Sequence, residues 1–170
     1  MERRAVHEVR ADGRRLVGYA ARFDTEARIG DFTEVIRAGA FSGSLSSDVL
    51  ALGDHDPSRL LARTRTGTLR LQEDRQGLAF ELDVPDTTLG RDVLAMAERG
   101  DLGGMSFGFT VPRGGEQWQG RQRELTRVDL LEVSVVHAWP AYDGTSVDAR
   151  QSTPRRNHAL RVLEVIQCAG

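Results

Sequence analysis

Two alternating runs, Thr68-Leu-Arg-Leu-Gln-Glu73 and Leu78-Ala-Phe-Glu-Leu-Asp-Val84, flank the link Asp74-Arg-Gln-Gly77. Period-two alternation sends the apolar side chains of a strand to one face, and a polar link ending in glycine lets the chain reverse. The stretch predicts a β-hairpin with one buried face, and a lone hairpin is too small to be stable by itself. Other segments must cover it. Val6 to Phe23 reads as a second hairpin turning at Asp12-Gly13, and Phe32 to Ile36 as a short strand. Ala38 to Leu45 suits a short helix or turn. Val49 to Leu52 is a buried strand stopped by Gly53 and Asp56-Pro57. Thr87 or Thr88 caps a helix with Leu89, Val93 and Met96 or Ala97 on its buried stripe, and Gly100 ends it. From Met105 to Val111, Met105, Phe107, Phe109 and Val111 share one face, and Ser106, Gly108 and Thr110 the other. Pro112 to Gly120 is a polar loop and Leu125 to Val136 a long strand. About seven short strands with two or three helices predict an α+β, mainly β fold, a closed or partly closed barrel.

Composition narrows the class. A chain of 170 residues, 39% hydrophobic and 28% charged, suits one folded domain. We expect that domain over residues 1–150. The polar break from Gln151 to Asn157 and a short helix from Ala159 to Gln167 follow as a tail over 151–170. A net charge of −2 argues against a dedicated nucleic-acid binder, and the Arg63-Thr-Arg65 and Arg121 to Arg127 segments read as solvated surface. Cys168 is the single cysteine, so no intrachain disulfide framework is expected. No apolar run approaches the ~20 residues that span a bilayer, and Met1-Glu-Arg-Arg4 is no apolar signal core. These features predict a cytosolic product with no membrane partner. His7, His55, His137 and His158 are scattered with no His-Glu-x-x-His, so no metal or other cofactor is expected.

The chemistry that the chain can carry centres on three side chains. Ser106 sits in a short apolar strand entered through Gly103-Gly104, with Phe107 and Phe109 fixing the strand's other face. No Gly-x-Ser-x-Gly elbow surrounds it, which disfavours an α/β-hydrolase. His55 lies between Asp54 and Asp56 at a strand end. Glu132 interrupts the apolar stretch Val128 to Val136, where a buried carboxylate must be paired. Serine, histidine and a carboxylate are the parts of a hydrolytic triad. The bland readings are a small strand serine, a structural histidine and an outward-facing glutamate. Asp129 and His137 compete with Glu132 for the third place.

The order of these blocks resembles the HK97-type prohead proteases of tailed phages and gene transfer agents. The resemblance runs from about Gly18 to Arg150 and rests on eight blocks in order. The first four are Gly18-Tyr19-Ala20 with Phe23, Gly39-Ala40-Phe41 with Ser44-Leu45, His55-Asp56-Pro57, and Thr68-Leu69-Arg70-Leu71. Gly77-Leu78, Ser106-Phe107-Gly108-Phe109, Leu131-Glu132-Val133-Ser134 and Pro140-Ala141-Tyr142 complete the set. Asp54 stands where asparagine is typical, and Ala62 near a usual glycine. The resemblance implies a herpesvirus-assemblin-like β-barrel ringed by helices. It implies a serine endopeptidase, with Ser106 as nucleophile, His55 as general base and Glu132 as third member. A second histidine in the herpesvirus enzymes keeps His137 in view. By the same analogy Arg127 could serve the oxyanion. The implied substrate is the scaffolding segment of the major capsid protein, cut inside the assembling prohead in the host bacterial cytoplasm, followed by self-cleavage. Self-association into a homo-oligomer is compatible with it. Two other classes stay open: a catalytically inactive assembly or scaffold factor on the same fold, and an esterase.

Overall fold

The computed structural model describes residues 1–6 and 9–137. The expectations for the tail and for Pro140-Ala141-Tyr142 lie outside the described residues. The 13 strands and single α-helix among the described residues confirm a mainly β α+β fold. A five-stranded sheet has the order β1 (Glu2–Val6), β10 (Gly104–Thr110), β13 (Asp129–Val136), β6 (Leu50–Gly53) and β7 (Asp56–Arg63). A four-stranded sheet combines β2 (Val9–Asp12), β3 (Arg15–Arg22), β9 (Gly77–Asp83) and β8 (Leu69–Glu73) in that order. A second four-stranded sheet runs β11 (Glu116–Gln119), β12 (Gln122–Leu125), β5 (Phe32–Ile36) and β4 (Ala27–Ile29). Of the expected closed or partly closed, assemblin-like barrel of about seven strands, the closed form is corrected by this pairing and the rest is not confirmed by it. None of the three sheets closes on itself among the described residues.

The alternating hairpin is β8–β9, in antiparallel register from Leu69↔Leu82 to Glu73↔Leu78. Its link is held by Asp74, whose carboxylate accepts from the Gln76 and Gly77 amides at 2.6 and 3.0 Å. The other expected hairpin turns through Gly13, at φ 60°, but comprises β2 and β3. Val6 belongs instead to β1, on a different sheet. The helix α1 (Thr88–Arg99) begins where Thr87 caps the Gly90 amide at 3.1 Å and stops at left-handed Gly100. Val93 and Leu94 are its buried side chains, with Leu89 and Ala97 packed beside them. Ala38 to Leu45 is a series of turns. Its Ala40 and Phe41 enter the core, where Phe41 meets Phe107 edge-on at 5.5 Å and Phe107 stacks with Phe109 at 5.3 Å. One apolar cluster joins these rings to Leu16, Leu78 and Leu82 of the β2–β3–β9–β8 sheet.

The long strand expected over Leu125 to Val136 is two strands, β12 and β13, separated at residues 126–128. They belong to different sheets and both run parallel to a neighbour, β12 to β5 and β13 to β6. The Arg121 to Arg127 segment is not uniformly solvated either. Arg123 is buried and pairs with Glu2, Glu34 and Glu116.

Candidate active site

The site is set by the pairing of β10 with β13. Directly opposed residues of an antiparallel pair share a face. Ser106 is opposite Ser134 and Gly108 is opposite Glu132, so these four positions share the face that looks away from Phe107 and Phe109. A bulge changes the phase next to Gly108, where Phe109 pairs with Leu130 and Leu131 is left over. That is why Leu130 and Val133 are both buried while Leu131 is exposed, a pattern simple alternation does not give. Ser106, Glu132 and Ser134 are themselves buried, at 3%, 4% and 0% exposure.

His55 comes from the corner between β6 and β7. Asp54 and His55 have φ of 51° and 61°, the left-handed region that costs energy for residues other than glycine. Contacts to β13 and its end hold this corner. The Asp54 amide donates to the Val135 carbonyl at 2.9 Å, and the His55 amide donates to Ser134 Oγ at 3.2 Å. Asp54 Oδ1 accepts from the His137 amide at 2.9 Å, and Asp54 Oδ2 meets His137 Nδ1 at 2.6 Å. Arg59 also pairs with Asp54. Burial pushes the Asp54 carboxyl up, but the His137 amide, the His137 ring and Arg59 outweigh it and hold Asp54 below the usual aspartate range.

Two of the three expected site residues are in direct contact. His55 Nδ1 donates to Glu132 Oε1 at 2.7 Å, with both side chains largely buried. The other oxygen, Oε2, accepts from Ser134 Oγ at 2.5 Å. The carboxylate is therefore divided between the imidazole and a serine hydroxyl. Of the competitors, His137 turns its ring to Asp54, and Asp129 sits exposed at the start of β13 opposite Thr110. Ser106 lies on the strand beside Glu132, and no described hydrogen bond joins its hydroxyl to His55. Arg127 donates to the Arg113 carbonyl in an exposed contact.

Two roles were not visible in the sequence. Gly108 leaves room for the carboxylate: a Cβ there would meet Glu132 Oε1 at 2.3 Å. The glycine thus serves an internal side chain, where a glycine beside Ser106 reads from sequence as room for a substrate backbone. Ser134 links the carboxylate to the histidine's main chain. Its only signal in the sequence is its place two residues beyond Glu132, which puts both side chains on one face of a strand.

A buried histidine–carboxylate pair on the strand paired with that of a serine is compatible with serine-hydrolase chemistry. The model of the caudovirus prohead serine protease family matches residues 1–158. The chain belongs to that family. No curated protein and no solved structure matches the chain. Membership in the prohead serine proteases makes proteolysis in the phage prohead the frame for the site. No helix among the described residues is long and apolar enough to cross a membrane.

Proposed function

We propose that this prohead protease is a serine endopeptidase that removes the scaffolding segment of the major capsid protein inside the assembling prohead, in the host bacterial cytoplasm, and then cleaves itself. Ser106 is the nucleophile, His55 the general base and Glu132 the residue that orients it. The observation that carries this reading is the 2.7 Å contact of His55 Nδ1 with the buried Glu132, on the strand paired with that of Ser106. With Nδ1 donating to the carboxylate, Nε2 is the ring's free acceptor.

In the first half-reaction Ser106 Oγ attacks the scissile carbonyl carbon while His55 Nε2 takes its proton. The carbonyl oxygen carries the charge of the tetrahedral intermediate. As the C–N bond breaks, the imidazolium returns the proton to the leaving amine. Water then attacks the acyl-serine, giving a proton to Nε2 that returns to Ser106 Oγ as the acid leaves. Glu132 stays ionised throughout, fixing the tautomer and stabilising the imidazolium. The Ser106–His55 hydrogen bond forms as substrate is bound, as such bonds commonly tighten only in the complex.

Co-expression with the capsid precursor tests the reading. Ser106→Ala should fold normally and lose cleavage by on the order of 10³-fold or more, because triad members act as a unit. Glu132→Gln should be more damaging than His137→Gln or Asp129→Asn. Full precursor cleavage by Ser106→Ala would end the serine-protease assignment. Labelling by a serine-reactive probe with an intact precursor would point to an esterase, and a wild-type chain inert in both assays to an assembly factor.

A further inference from the structure

Resting on the triad just proposed, we infer that Ser134 is a positioning residue: one buried hydroxyl that locks both the carboxylate and the main chain of the general base. Ser134 Oγ has one proton to give and lone pairs to receive with. It gives the proton to Glu132 Oε2 at 2.5 Å and receives the His55 amide at 3.2 Å. The donation leaves Glu132 Oε1 as the oxygen facing His55 Nδ1. The acceptance holds His55 at φ 61°, a strained conformation that persists only when its surroundings over-determine it. Ser134 is fully buried, so water cannot replace either bond without entering the sheet. It also lies opposite Ser106 across β10 and β13. One side chain therefore ties together the position of the base, the direction of its orienting carboxylate and the strand next to the nucleophile. Ser134 touches no substrate in this scheme and acts through His55 and Glu132.

The test uses the full chain and two readouts. In Ser134→Ala, kcat on a capsid-precursor peptide should fall on the order of 10²-fold with KM little changed, because reacting groups are misplaced while binding is not. Independently, the downfield Nδ1 proton resonance of His55, seen by NMR in a Ser106→Ala background, should broaden away or shift strongly once Glu132 is released. Ser134→Thr, which keeps the hydroxyl, should restore both. A Ser134→Ala protein with a lower melting temperature but unchanged kcat and an unchanged resonance overturns the inference, since that is what a merely structural serine would give. A folded Thr variant that behaves like the Ala variant overturns it too. If the wild-type chain hydrolyses nothing, the protease reading fails by itself. The resonance then judges Ser134 alone: its loss in Ser134→Ala upholds the positioning role, and its persistence refutes it.

Discussion

A single methyl group at position 108 tests the placement of the carboxylate. The Cβ of Gly108→Ala would meet Glu132 Oε1 at 2.3 Å and Met1 Sδ at 3.0 Å. The backbone of β10 is paired on both sides, so Glu132 is the group that moves. Its Oε1 is the atom that accepts the hydrogen bond from His55 Nδ1. Gly108→Ala should therefore reduce kcat on the order of 10²-fold while the protein still folds. Retained activity with the alanine seated would mean that Glu132 does not need this position. At this scale the sequence was informative about identity and mute about contact. Glu132 stands out as a charge in an apolar run, and His55 as a histidine at a strand end. That Gly108 yields space to Glu132 depends on the register of two strands that are not consecutive in the chain, which no local pattern encodes.

The β6–β7 corner is where element geometry meets charge. Asp54 caps the amide of His137 and pairs with Arg59, and the balance of burial against these partners leaves its carboxyl below the usual aspartate range. A depressed native pKa means that the unfolded chain binds the proton more readily. The stabilisation is complete above the ordinary aspartate pKa and disappears as pH falls through the lower native value. Asp54→Asn keeps a residue type tolerant of the left-handed region but removes the charge. The variant should melt below the wild type at neutral pH, and the gap should close as the buffer is taken into the acid range. A gap that is the same at every pH would show that charge plays no part. Elements with an apolar rhythm were legible: β8, β9, β10 and α1. The β7 strand was not, because Asp56-Pro57 reads as a stop; proline is tolerated there since β7 is the edge of its sheet. The β11–β12 hairpin was hidden for another reason. Its inward position 123 is an arginine, buried by ion pairing, so β11 reads as part of the polar loop Pro112 to Gly120 and β12 as solvated surface.

That arginine also decides how two sheets are joined. Glu34 of β5 is buried between two guanidinium groups, with Arg4 of β1 at 2.5 and 2.7 Å and Arg123 of β12 at 3.0 Å. Arg123 reaches on to Glu2 at 2.8 Å and to Glu116 at 2.6 Å. The network ties β1, the strand beside that of Ser106, to the β11–β12–β5–β4 sheet. No periodicity announces such a joint, so a count of short strands did not anticipate it. Burial pushes the Glu2 carboxyl up, but Arg123 and Arg4 together hold it below the usual glutamate range. Removing Arg123 leaves Glu2 and Glu34 with Arg4 and takes away the Glu116 ion pair, and breaking a buried pair from one side typically costs about 3–5 kcal/mol. Arg123→Met keeps much of the apolar stem and removes the charge. We expect it to lose about 3 kcal/mol in urea unfolding at neutral pH, the lower end of that range because Arg4 still serves Glu34. The part of this advantage that comes from Glu2 is complete above the ordinary glutamate pKa and is lost as pH falls through the lower native value, so the gap should narrow in that acid range. Because β1 is paired along β10 from Glu2↔Phe109 to Val6↔Met105, loosening it should also raise amide exchange in β10 around Ser106. A variant within 1 kcal/mol of wild type, with β10 exchange unchanged, would show that the apolar core alone holds the sheets together and that the ion network is incidental.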